Sequence, residues 1–169
     1  MTTPLNQSSV DGPVEAAGSL PFFRAIVYAA LLAGALDATD GVVFFGLHGL
    51  NPVQVLQYIA SGLLGAQSFR GGLATAAVGV LVHFAIAFVV AAIYLLASRR
   101  IPALRSRWVM FGLAYGAAVW AMMNLLILPL TAVAPSHITT AALLNGVIGH
   151  ALFVGLPIAF FARKVEGTV

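Results

Sequence analysis

Apolar residues run almost unbroken through four stretches of the chain, at about residues 22–47, 72–97, 108–133 and 138–161. Each exceeds the ~20 residues that a helix needs to cross a bilayer core about 30 Å thick. The polar positions between them are short links, so the pattern predicts four membrane spans and little else. A fifth, shorter segment at 53–64 follows Asn51-Pro52, a strong helix start with Asn as N-cap and Pro at the first helical position. It is too short to span. Its apolar residues Val53, Leu56, Ile59, Ala60 and Leu63 share one side, and Gln54, Gln57, Tyr58 and Ser61 the other. That periodicity fits a helix lying in the membrane interface or folding back toward the bundle, either as a plain connector or as a lid over a site. The expected fold is all-α: a four-transmembrane-helix up-down bundle with one additional amphipathic interfacial helix between spans 1 and 2. Its domain would cover 21–164, with a loose polar tail over 1–20 and a short C-terminal tail over 165–169. The first twenty residues lack the basic start and small-residue cleavage site of a secretory signal.

Two carboxylates interrupt the first apolar run. Asp37 and Asp40 stand in Ala33-Gly-Ala-Leu-Asp-Ala-Thr-Asp-Gly-Val-Val-Phe-Phe45 with no Lys or Arg nearby in sequence. An ionised Asp at bilayer depth costs a few kcal/mol even on lenient insertion scales, so these two should face protein or water. At a spacing of three they share one helical face. The other runs each carry polar groups of their own: His83 in the second, Asn124 in the third, Asn145 and His150 in the fourth.

Composition agrees with the pattern. The 169 residues are 61% hydrophobic and 8% charged, against about 25% charged in soluble domains. Without cysteine there are no disulfides and no thiolate chemistry. The net charge is +3, but the excess is arginine at the borders of apolar runs, which points to orientation rather than to nucleic acid. Arg99, Arg100, Arg105 and Arg107 lie in the second link, Arg163 and Lys164 follow the last run, and Arg24 opens the first. The first link carries only Arg70 and the third none. Positive-inside therefore places both termini in the cytoplasm.

With that orientation each polar residue takes a depth at 1.5 Å per residue. His83 and His150 fall close to the middle of their spans, Asp37 roughly 5 Å to the outer side, and Asp40, Asn124 and Asn145 roughly 7–9 Å out. Polar groups from all four helices thus share one slab. His83 lies on a stripe with Gly72, Ala76, Gly79 and Ala87, and Asp37 on one with Ala30 and Ala33, so both should point toward neighbouring helices. Gly112 and Gly116 supply a close-packing pair on the third helix. Asn145 and His150 are five apart, well over 100° around a helix, which argues against one compact cluster. Pro129 and Pro157 each deprive a carbonyl one turn earlier of its N–H, at Leu125 and Phe153. Gly79-Val-Leu-Val-His83 and Gly146-Val-Ile-Gly-His150 also hint at two copies of a helical hairpin related by an axis along the membrane normal.

These residues suggest a site for a small ion or polar solute, formed by Asp37, Asp40, His83, Asn124, Asn145 and His150. Burial and a neighbouring like charge both favour the protonated form of a carboxylic acid, and imidazole exchanges protons near neutrality, so proton coupling is a natural extension. Asp37, Asp40 and His83 are candidate ligands for a divalent metal, although no tight ligand motif is present. A second reading takes His83 and His150 as the axial ligands of a haem b, the glycine four residues before each leaving room beside the ring. A third is a non-catalytic accessory subunit of a larger membrane complex, or a homo-oligomer. Ser61, Ser68 and Ser98 have no evident acid–base partner nearby, so hydrolytic activity is not expected.

The segments Gly34-Ala-Leu-Asp-Ala-Thr-Asp-Gly-Val-Val-Phe-Phe-Gly46, Ile59-Ala-Ser-Gly-Leu-Leu-Gly65, 83–100 and Met123-Asn-Leu-Leu-Ile-Leu-Pro129 resemble those of an uncharacterised group of small bacterial integral membrane proteins with four helices. The resemblance covers about residues 22–164. It implies a bacterial inner-membrane location and adds no mechanism.

Overall fold

A computed structural model of the chain describes residues 20–133 and 138–165. The tail expected over 1–20 lies outside these residues apart from Leu20, as do residues 166–169 and the turn at 134–137. Four helices are long and apolar enough to cross a membrane: α1 (Phe22–Leu47), α3 (Gly72–Arg100), α4 (Trp108–Leu130) and α5 (Thr140–Ala162). A shorter helix, α2 (Pro52–Leu64), stands between α1 and α3. No strand occurs among the described residues; the nearest approach to one is an isolated bridge between Leu20 and Val165, with the Leu20 N–H donating to the Lys164 carbonyl at 2.8 Å.

Small side chains decide how the helices meet. Ala25, Ala29, Ala30 and Ala33 form a fully buried stripe on α1. Their methyl groups let it pack closely on Val90, Ala91, Tyr94 and Leu95 of α3 and on Ile158, Ala159 and Ala162 of α5. The pairing is antiparallel: Gly34 meets Phe84 and Ala87, while Phe22 lies under Arg99 at the other end. Tyr28 and Phe161 likewise bring the start of α1 to the end of α5, with ring centroids 6.2 Å apart.

Helices α4 and α5 approach more closely still. A Cβ on Gly112 would lie 2.9 Å from the Ala159 methyl and 3.0 Å from the Gly155 carbonyl oxygen, and one on Gly116 would strike the His150 carbonyl. Backbone packs on backbone here, which only glycine allows. Two tyrosines tie α3 to the far side: Tyr115 Oη donates to the Val90 carbonyl at 2.7 Å, and Tyr94 Oη to the Leu104 carbonyl at 2.9 Å. Their rings pack edge to face, 4.9 Å between centroids.

Both late prolines fall just after a widened turn. Over Met123–Ile127 and His150–Gly155 the backbone is π-helical, so that Leu128 N–H bonds to Met123 O and Leu156 N–H to Ala151 O. Proline has no N–H to continue the i→i−4 ladder, and a register shift in the preceding turn is one way a helix accommodates the gap.

Helix α2 begins as its sequence indicates. Asn51 Oδ1 accepts from Gln54 N–H at 3.0 Å, and Gln54 Oε1 accepts from Asn51 N–H at 2.9 Å, a reciprocal cap with Pro52 at the first helical position. The face it buries draws on both sides of the periodic pattern. Val55, Gln57, Ala60 and Ser61 are turned inward, while Leu63 is 67% exposed. Gln57 Nε2 donates to the Gly72 carbonyl at 3.0 Å and to Thr75 Oγ1 at 3.3 Å. Further along, the Leu56 backbone occupies the space beside Gly79, and Gly62 O accepts from Ala132 N–H at 3.1 Å. The helix thus reaches from the N-terminal end of α3 to the C-terminal end of α4, with its amide-bearing side against protein.

Gly116→Ala should lower stability by about 1–3 kcal/mol or more, because the added methyl meets the α5 backbone rather than a movable side chain. Gly41→Ala, with nothing within 4 Å of its would-be Cβ, should change it by less than about 0.5 kcal/mol. Unfolding of both variants in the same detergent checks this contrast.

Candidate functional site

The polar residues of α1 rise as a ladder at positions 34, 37 and 40. Each step of three residues advances about 4.5 Å and turns the side chain by about 60° around the helix. The two steps together swing the ladder from the α3 side to the α5 side, which explains its three different partners. At the first rung His83 Nε2 lies 2.8 Å from the Gly34 carbonyl. A carbonyl only accepts, so the proton of this imidazole is on Nε2. At the second, His150 Nδ1 stands 3.3 Å from Asp37 Oδ1, an ion-pair distance. At the third, Asn145 Nδ2 donates to Asp40 Oδ2 at 2.9 Å.

The antiparallel register of α1 and α5 brings these partners together across more than 100 positions of chain. Because α1 rises past α5 in the opposite direction, Asp37 and Asp40 meet His150 and Asn145 as separate rungs. The angular separation of Asn145 and His150 is therefore no obstacle: the residues serve two sites one turn apart. Gly149 makes room for the upper rung. A Cβ there would sit 2.7 Å from Asp40 Oδ2, so the carboxylate occupies the volume this glycine leaves.

Neither acid pairs with Lys or Arg among the described residues. Asp37 and His150 are partly open, with side chains 18% and 23% exposed. Asp37 Oδ2 and Asp40 Oδ1 accept no hydrogen bond from the described residues, and neither is sealed; among the described residues the one sealed, unpartnered side-chain oxygen or nitrogen is Ser68 Oγ. The site therefore holds two carboxylate oxygens without a partner among the described residues.

Other expected contributors are placed elsewhere. Asn124 Nδ2 donates to Trp120 O of its own helix at 3.0 Å and makes no bond to either acid. Thr39 Oγ1 also bonds within its helix, to Ala35 O at 2.7 Å. No three His, Asp or Glu residues among those described group as a metal site, and His83, expected with Asp37 and Asp40, is held by the Gly34 carbonyl instead. The room expected beside the two histidines is also taken. The Leu56 backbone fills the space at Gly79, and the Trp120 indole fills that at Gly146. These glycines serve helix approach. The carbonyl of Gly34 and the glycine at 149 are the parts of the site that sequence reasoning missed. Backbone acceptors carry no signal in residue type, and a glycine beside a carboxylate is recognisable only once the helices are paired.

No family model, curated protein or solved structure matches this chain. The four long apolar helices are those of a multi-pass membrane protein by length and composition.

Since the chain has no cysteine, its pairing can be read by engineered disulfides. The double variant Asp40→Cys with Asn145→Cys should cross-link under mild oxidation, whereas Thr39→Cys with Asn145→Cys should not. Asn145→Ala should cost about 0.6–1.7 kcal/mol, the range for interhelical hydrogen bonds in membranes, measured by unfolding in detergent.

Proposed function

We propose that the protein is a four-span, up-down membrane bundle whose Asp37–His150 and Asp40–Asn145 rungs bind a proton or another small cation and pass it along α1. The observation that carries this reading is charge that the fold leaves unmatched. Two carboxylates lie among apolar helices, and their polar partners are an imidazole and a neutral amide. His150 can answer Asp37 by taking up a proton. Asn145 offers Asp40 a hydrogen bond and no charge, so a mobile cation completes that rung. The free oxygens Asp37 Oδ2 and Asp40 Oδ1 are where it would be held. His83, one step along the ladder, extends the polar path by another 4.5 Å or so.

Orientation follows from the arginines. Seven of the eight basic residues stand at the end formed by the start of α1, the end of α3, the start of α4 and the end of α5; Arg70 alone lies at the other. Positive-inside puts the first end, with both termini, in the cytoplasm of a bacterial inner membrane. On that reading α2 lies at the outer interface, beyond the Asp40 rung. Leu63 and Leu64 then face lipid, while Val55, Gln57, Ala60 and Ser61 face the bundle.

In sealed vesicles containing the purified protein, a pH gradient or a cation gradient should dissipate faster than in empty vesicles. Asp40→Asn and Asp37→Asn should each remove most of that excess, about tenfold or more, while inserting as well as the wild type. Loss of a carboxylic-acid infrared band in Asp40→Asn would identify the protonated group directly. Wild-type flux in both variants would remove the site from the path.

A further inference from the structure

The basic end of the bundle has a feature that orientation alone does not require. Arg163 lies over Trp108, its Cζ 5.0 Å from the ring centroid, and stands 5.9 Å from the Phe160 centroid. Lys164 Nζ lies 4.6 Å from the same Phe160 ring. At the same end of the helices, Arg99 lies over Phe22 at 4.9 Å. No carboxylate of the described residues pairs with any of these cations.

A cation over an aromatic face gains a modest electrostatic attraction and loses orientational freedom. A guanidinium held on an aromatic face still has a planar fork of N–H donors to offer an oxyanion. Trp is also the residue that settles at headgroup level, with its ring toward the acyl region. Rings and cations together therefore form a bracket suited to the boundary between hydrocarbon and water, where phosphodiesters lie. Positive-inside needs charge on this side; it does not need aromatic faces that hold the charge at one depth.

We infer that the Trp108–Phe160–Arg163–Lys164 corner is a docking site for an anionic phospholipid, its headgroup phosphate on Arg163 and Lys164 and its first acyl carbons against Trp108 and Phe160. This rests on the membrane reading and is independent of the Asp37–Asp40 site. The bracket selects headgroups by net charge: a zwitterionic lipid brings its own cation to the same layer, whereas phosphatidylglycerol brings none. Each cation near an anionic membrane surface contributes about a fivefold gain in relative affinity.

Trp108 is its own reporter. The full chain carrying Trp120→Phe, which leaves Trp108 as the only indole, is placed in vesicles containing equal mole fractions of phosphatidylglycerol and phosphatidylcholine. One or the other lipid is brominated near the top of its acyl chains. Brominated phosphatidylglycerol should quench Trp108 several-fold more effectively than brominated phosphatidylcholine. Arg163→Gln and Lys164→Gln should each lower that preference by about fivefold, and Arg163→Lys should retain part of it. Equal quenching by the two lipids in the parent protein would overturn the inference. So would loss of the preference on adding inorganic phosphate, which would mark a free-anion site. Displacement of the lipid by a single-stranded oligonucleotide at physiological ionic strength would assign the corner to a soluble polyanion instead. Failure of the protein to float with vesicles would remove the membrane reading itself. Flotation without headgroup preference would remove this inference alone.

Discussion

Asp37 and Asp40 stand on a largely apolar helix, and no lysine or arginine of the described residues reaches them. Carboxylates in such surroundings need donors from the protein or a cation from outside it, and the fold supplies only part of the first. Everything near them is arranged around that need. Helix α5 runs antiparallel to α1, so an imidazole and an amide arrive at the two acids one turn apart. Gly149 yields the volume that the Asp40 carboxylate fills. Beyond the polar layer, toward the basic end, the interface becomes a close-packed stripe of alanine methyl groups that holds the register.

That register is maintained by contacts of a different kind from those it positions. The alanines of α1 and the glycines of α4 and α5 bring backbones so close that sliding one helix past another by a residue would drive side chains into main chain. This rigidity lets two weak polar contacts, 3.3 Å and 2.9 Å long, recur at defined places on α1. The widened turn of α5 begins at His150 itself. Such π-turns are frequent at functional positions in helices, and here one lies between the Asp37 partner and Pro157.

The burial of α2 shows that an amphipathic pattern does not by itself select the buried face. Val55 and Ala60 are turned inward together with Gln57 and Ser61, while Tyr58 and Leu63 are exposed. Gln57 pairs with the Gly72 carbonyl and Thr75, so its amide is buried with its donor satisfied. The periodicity was visible in the chain, but the buried face depended on these partners. The many exposed leucines lie on helices long and apolar enough to cross a membrane.

The linear order of residues was enough to establish what depends on local chemistry. Run length determined the four long helices, the Asn51–Pro52 pair the start of α2, and spacing of three the common face of Asp37 and Asp40. Gly112 and Gly116 announced a close contact without saying with what. Only the tertiary structure decided partners: that His150 and Asn145 each take one acid, that His83 goes to a backbone carbonyl, that Asn124 turns back on its own helix, and that the glycines before both histidines are filled by Leu56 and Trp120. Those outcomes depend on the relative axial shift of helices far apart in the chain. A shift of one residue moves a side chain by 1.5 Å and 100°, finer than apolar periodicity can specify.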